Sequence, residues 1–179
     1  MIDSMTVATL DLDPVLQGRS GPAPDCSLDR ALQVVSTRSA MLLMREVFYG
    51  VTRFDELTAR VGVSEPVAAA RLKELVAAGL LEREPYREPG QRTRHAYRLT
   101  EKGADLLPVI VALMRWGDRW APAEAGAPVE LTHRDCGKAV TAELRCAAGH
   151  AVGAGEIHVT PTRARPGEVR ARRTESVRS

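Results

Sequence analysis

The sequence predicts a mainly α (α+β) fold, and three observations carry that expectation. Apolar residues between Leu28 and Val76 recur at the three-and-four spacing of helices that bury one side. After Gly79 the helical period gives way to two short strand-like runs, the second alternating His95, Tyr97 and Leu99 against Ala96 and Arg98. Between two strand-like runs, Arg87–Arg94 holds Pro89, Gly90 and three arginines, which predicts a hairpin with a long basic tip.

Each element follows from its residues. Leu28, Ala31, Leu32 and Val35 fall at i, i+3, i+4 and i+7, an amphipathic helix with Ser27 as its expected N-cap. Ala40, Leu43, Met44, Val47 and Phe48 repeat the spacing, and Gly50 supplies the stop. Arg45 and Glu46 lie in the middle of this helix and are expected to form structural ion pairs. Thr52-Arg-Phe-Asp55 has the form of a capping box with Asp in place of Glu, opening a third helix that turns Leu57 and Val61 inward. Gly62-Val63 makes a turn, Ser64 caps again, and Pro66 is tolerated in a first helical turn. Ala68, Leu72, Leu75 and Val76 form the buried stripe of a fourth helix ending at Gly79. Leu81–Tyr86 and His95–Leu99 read as strands. Thr100 then caps one last helix carrying Leu106, Leu107, Ile110, Leu113, Met114, Trp116 and Trp120.

This order is that of a winged helix-turn-helix with a two-stranded wing, the helix-turn-helix proper falling at 52–78. Its second helix is able to lie in a major groove. Phosphates are held by Lys, Arg and helix N-termini, and Arg87, Arg92 and Arg94 on the wing tip fit that need. Arg38 and Arg53, each just ahead of a helix, are expected at phosphates or in surface ion pairs. Base-edge readout falls to Ser64, Glu65 and Arg71, with Ala69 and Ala70 available for thymine methyls. So small a donor set shifts the expected specificity toward DNA shape and wing contacts.

Charge fits a local basic face. The whole chain has 25 basic and 23 acidic residues, a net of +2, which excludes a histone-like polycation. Residues 1–25 hold one Arg against four Asp, whereas 26–120 hold 15 basic and 12 acidic residues. The last nineteen residues hold six Arg and two Glu. We therefore expect a flexible lead-in at 1–25 and a DNA-binding and dimerisation domain at 26–124. A small His/Cys-containing β-rich C-terminal extension is expected at 129–160, and a disordered Arg-rich tail at 161–179. Three scattered cysteines do not make a disulfide framework, the first residues lack the cationic start of a signal peptide, and no apolar run spans a bilayer. A cytoplasmic protein without a membrane partner is expected.

Seven blocks also carry a resemblance. Cys26-Ser-Leu-Asp-Arg-Ala-Leu32, Leu42-Leu-Met-Arg-Glu-Val-Phe48, Arg53-Phe-Asp-Glu-Leu57, Arg71-Leu72, Gly79-Leu-Leu-Glu-Arg83, Tyr97-Arg-Leu-Thr-Glu-Lys-Gly103 and Trp116-Gly-Asp-Arg-Trp120 occur in the order seen in bacterial HxlR-type transcriptional regulators, winged-helix proteins related to MarR regulators. The resemblance covers about 26–124. It implies a homodimer paired through the first and last helices, each copy reading one half-site of an inverted repeat. Two departures stand out: Arg38-Ser39-Ala40 replaces a Lys-Trp-Thr run, and Ala68 and Ala69 replace the Leu and Ser usual in the recognition helix.

The resemblance also bears on two sulfur-containing sites. Cys26 stands where HxlR-type redox sensors keep a reactive cysteine, and a helix N-terminus with Arg30 one turn on could lower its pKa; an unreactive thiol is the rival reading. His133-Arg-Asp-Cys136-Gly and Cys146-Ala-Ala-Gly-His150 form an H-x2-C and a C-x3-H nine residues apart. A structural zinc on His133, Cys136, Cys146 and His150 is one reading and a metal-free hairpin the other; no other cofactor is expected. Four protein ligands would leave no open position for catalysis, and no nucleophile–base set, phosphate loop or paired carboxylates point to an enzyme. The expected function is a homodimeric repressor that occupies a double-stranded DNA operator and answers to a small-molecule or oxidant inducer. The alternative is a winged-helix interaction or dimerisation module without DNA binding.

Overall fold

The computed structural model describes residues 9–17, 26–87, 90 and 93–161. Its elements run β1 (Asp11–Leu12), α1 (Pro14–Gln17), α2 (Ser27–Val35), α3 (Arg38–Phe48), α4 (Phe54–Val61), α5 (Glu65–Ala77), β2 (Leu81–Tyr86), β3 (Arg94–Leu99), α6 (Glu101–Ala104), α7 (Leu107–Trp120) and β4 (His158–Val159). They divide into two units, one drawn from 23–142 and the other from 1–22 with 143–179.

The larger unit is the mainly helical winged helix-turn-helix expected from the spacing. α3 forms its centre because Thr37 accepts the Ala40 amide at 3.1 Å, and Leu43 and Met44 are then fully buried. Leu57 and Val61 from α4 and Leu72 and Leu75 from α5 close on them, joined by Leu80, Leu81, Tyr97 and Ile110. Gly62 makes the tight turn between α4 and α5 in the left-handed region, at φ 68°. α5 ends in a Schellman arrangement, with Gly79 at φ 70° and the Leu80 amide donating to the Leu75 carbonyl at 2.9 Å. The wing strands β2 and β3 pair antiparallel, Leu81 opposite Leu99 and Tyr86 opposite Arg94.

Several local expectations are corrected. Thr52 does not cap α4: its carbonyl accepts the Tyr97 amide at 2.8 Å and Arg53 bridges Ala96, so 52–53 are held extended against the wing. The helix starts one residue later, with Arg53 at the N-cap and no side-chain cap bond. Ser27 is the first residue of α2, behind Cys26 at the N-cap, and its hydroxyl takes the Arg30 guanidinium instead. Ser64 occupies the N-cap of α5 without a side-chain cap bond. The single last helix is two: Pro108, in the first turn of α7, has no amide to give and clashes with a helical carbonyl four residues back, so α6 ends at Ala104. Thr100 does cap, accepting the Gly103 amide at 3.0 Å.

The predicted ion pairing at Arg45 and Glu46 is present. Glu46 is buried, bonded to Arg45, and reaches Arg60 of α4 at 3.8 Å.

The smaller unit contains a parallel pair, β1 with β4, in which Asp11 lies opposite His158 and their side chains meet at 2.7 Å. Residues 11–17, inside the expected lead-in, thus form a strand and a one-turn helix. Around Cys146 the chain makes a tight turn closed by an Arg145–Ala151 bridge.

Candidate nucleic-acid interface

α5 presents its outer side to solvent because its apolar stripe of Ala68, Leu72 and Leu75 faces the core. Stepping about 100° per residue puts Pro66, Val67, Ala70, Lys73, Glu74 and Ala77 opposite that stripe, and all are exposed. Ala69 is exposed at one flank of this face, and Ser64 and Glu65 are exposed at the helix start. Arg71, on the other flank, is half-buried and ion-paired with Glu74. Lys73 and Val67 belong to the outer face and were missing from the sequence reading. The same helical stepping that located the buried stripe would have found them.

The first turns of α4 and α5 meet the wing in a cleft of about 410 Å³ whose lining includes Asp55, Glu65, Tyr86 and Arg94. Arg94 lies 3.6 Å from Asp55, and Arg53 Nε lies 3.9 Å from Asp55 and 4.0 Å from Glu56. The Arg53 guanidinium also stacks over the Tyr86 ring at 5.3 Å. Two cations from separate elements are thereby held where the first turns of α4 and α5 meet the wing, Arg94 in the cleft and Arg53 on its Tyr86 wall, each near a carboxylate. Burial pushes the Tyr97 hydroxyl above its ordinary pKa, with Arg83 acting in the opposite direction, so the wing strand keeps a neutral phenol against the core.

The other predicted residues are more dispersed. Arg38 is exposed at the first position of α3, and Arg87 is exposed just past β2. Arg92 lies outside the described residues. Cys26 is half-buried and not in a disulfide. His133 and Cys136 sit on an exposed turn in the larger unit, where the Gly137 amide donates to the His133 carbonyl and Gly137 has φ 67°. Cys146 and His150 sit on an exposed turn in the smaller unit, with Gly149 at φ 86°. Among the described residues no group of three or more His, Cys, Asp or Glu side chains is placed to hold a metal ion. Among the same residues no helix is long and apolar enough to cross a membrane.

A helix-turn-helix with an open second helix and a wing is the architecture of DNA-binding transcriptional regulators, which are not enzymes. The chain belongs to the HxlR-like helix-turn-helix family, whose model matches residues 34–125. An HTH-type transcriptional regulator of Mycobacterium tuberculosis is 43% identical over 120 residues, which make up 67% of this chain and 75% of that relative. The crystal structure of PA1607, a candidate transcription factor, superposes with a TM-score of 0.69 at 32% identity, covering 78% of this chain and 96% of that one. PA1374 from Pseudomonas aeruginosa, also a candidate transcription factor, gives a TM-score of 0.56 at 34% identity, covering 82% and 99%.

Proposed function

We propose that the chain is a cytoplasmic, homodimeric, sequence-specific DNA-binding repressor that releases its operator in response to a small-molecule or redox signal. The observation that carries this reading is the exposed outer face of α5, with Arg94 in the cleft where its first turn meets the wing and Arg53 stacked on Tyr86 of that cleft. In the major groove, Val67, Ala69 and Ala70 offer apolar contact to thymine methyls, while Ser64, Glu65 and Arg71 supply hydrogen-bonding groups. Lys73, Arg53 and Arg94, with Arg38, Arg87 and Arg92, serve the phosphates or the adjacent minor groove. A face with so few base-reading groups leaves much of the specificity to DNA shape.

Dimerisation has its own support. The stripe of α2 that would be buried in a larger core is bare in the single chain, with Leu28 66% and Leu32 46% exposed. Along α7, Val109, Leu113, Trp116 and Trp120 form a second exposed stripe at i, i+4, i+7 and i+11, the seam pattern of paired helices. Two copies joined there would place their α5 helices on half-sites about 34–36 Å apart or a multiple of it. An oxidant would act at Cys26, at the start of α2; a small molecule needs a cleft.

The test is a mobility-shift titration of the purified protein against DNA upstream of its own gene. Binding should fall steeply with salt and weaken in Lys73→Ala and Arg94→Ala. A protein that dimerises but ignores DNA at low salt would instead be an interaction module. Mass spectrometry after mild peroxide treatment, with the shift repeated, decides the redox arm: an unmodified Cys26 and unchanged binding remove it.

A further inference from the structure

Beside the exposed stripe of α7 lies a cleft of about 900 Å³, walled on one side by the second half of that helix and on the other by 127–131 and Val140. Its size is at the upper end for small-molecule sites, roughly 300–1,000 Å³. Trp116 and Trp120 stand at its edge, 62% and 64% exposed, and are the two tryptophans of the chain. Arg115 and Arg119 line it one helical turn apart, and the Arg119 guanidinium lies over the Trp120 ring at 4.7 Å. Neither arginine forms an ion pair with a described residue, although Glu130 is across the cleft and Asp118 on the same helix.

We propose that this cleft binds a planar, multi-ring aromatic anion. Indole faces give stacking area, and a guanidinium already stacked on one extends the flat shelf while keeping its N–H donors at the edge. Two guanidiniums a turn apart, neither paired with a described residue, suit a carboxylate or sulfonate, the anions that pair bidentately with arginine. The remaining carboxylates, Asp118 and Glu130, accept from hydroxyl or amino substituents on the rings. The four charged side chains that line the cleft set it apart from the uncharged Val109–Leu113 part of the stripe, where the partner copy of the proposed dimer would pack. As the inducer site of the proposed repressor, the assignment rests on that reading: the two tryptophans belong both to the cleft and to the proposed dimer seam, so a ligand stacked on them bears on how two copies meet.

The binding itself is tested without DNA, so it can fail while the mobility shift succeeds, or the reverse. The probe is anilinonaphthalene sulfonate, titrated into the full chain with indole-to-probe energy transfer as the signal. We expect saturable transfer at one probe per chain, with phenylnaphthylamine, its uncharged analogue, binding far more weakly. The double substitution Arg115→Ala with Arg119→Ala should weaken the anion about tenfold or more while leaving circular dichroism unchanged, since both side chains are exposed. No saturable transfer, equal binding of the uncharged analogue, or full binding by the folded double variant would each overturn the proposal.

Discussion

Replacing Asp55 by Asn should make the protein less stable and yet a tighter binder of its operator. Asp55 lies in the first turn of α4, 3.6 Å from Arg94 and 3.9 Å from Arg53. Their side chains are 61%, 49% and 34% exposed, so each pair is worth only about 0.2–1 kcal/mol. Turning both cations onto phosphates gives up both pairs, about 0.4–2 kcal/mol, and brings the Asp55 charge near other negative charges. Asp55→Asn removes that cost. Near 0.1 M salt we expect affinity to rise about two- to tenfold, or about 0.4–1.4 kcal/mol, the advantage shrinking as salt shortens the Debye length. The effect on folding has the opposite sign: a first-turn carboxylate favours the positive end of the helix dipole, and its loss costs about 0.3–1 kcal/mol. Fluorescence anisotropy of labelled promoter DNA at several salt concentrations, run beside thermal unfolding, reads both quantities. Unchanged or weaker binding by a folded Asp55→Asn protein would refute the placement of Arg53 and Arg94 at the DNA.

Three further outcomes are expected. A Cβ on Gly103 would run into the Leu80 carbonyl oxygen, so Gly103→Ala forces backbone apart and should cost about 3 kcal/mol, read as a lowered Tm; an unchanged Tm would mean that α6 shifts freely. Leu113→Glu, at a side chain 55% exposed in the single chain, should leave each copy folded while sedimentation velocity shows monomers; persistent dimers would move the seam off α7. Because burial raises the Tyr97 pKa, the unfolded chain ionises first as pH rises, so stability is whole below the ordinary value of about 10 and declines above it. Tyr97→Phe should flatten that alkaline decline, and urea unfolding across pH 8–11 will show whether it does.

Local signals in the sequence found most of the scaffold. The stripes of α3, α4 and α5 and the alternation of β3 are each set by neighbours a few residues away, and each is where periodicity puts it. The misplaced starts and stops have remote or competing causes. Thr52 looks like a cap until its carbonyl is claimed by Tyr97, far along the chain. Pro108 stands plainly in the sequence after Leu107, yet its effect falls on residues before it, where α6 stops. At the interface the arginines were legible as cations, but the pairing of Arg94 with Asp55 depends on the wing folding back to α4, which no spacing rule encodes. The cleft beside α7 is likewise a product of long-range packing: it needs the chain after Trp120 to return along the helix.

The junction between α5 and α6 has a mechanical consequence. The end of α5 is held by Lys102, whose ammonium donates to the Ala78 carbonyl at 2.7 Å, and by the Thr100 hydroxyl, which donates to the Gly79 carbonyl at 2.6 Å. Gly103 presses against Leu80 with no room even for a methyl group. These contacts make a stiff elbow between the helix that would read DNA and the base of α7. Torque on α7, whether from a partner copy or from a molecule lodged beside its tryptophans, has little slack to take up at this elbow and is delivered to the tail of α5. In a dimer built on α7, small rotations at the seam would become changes in the span between the two reading helices.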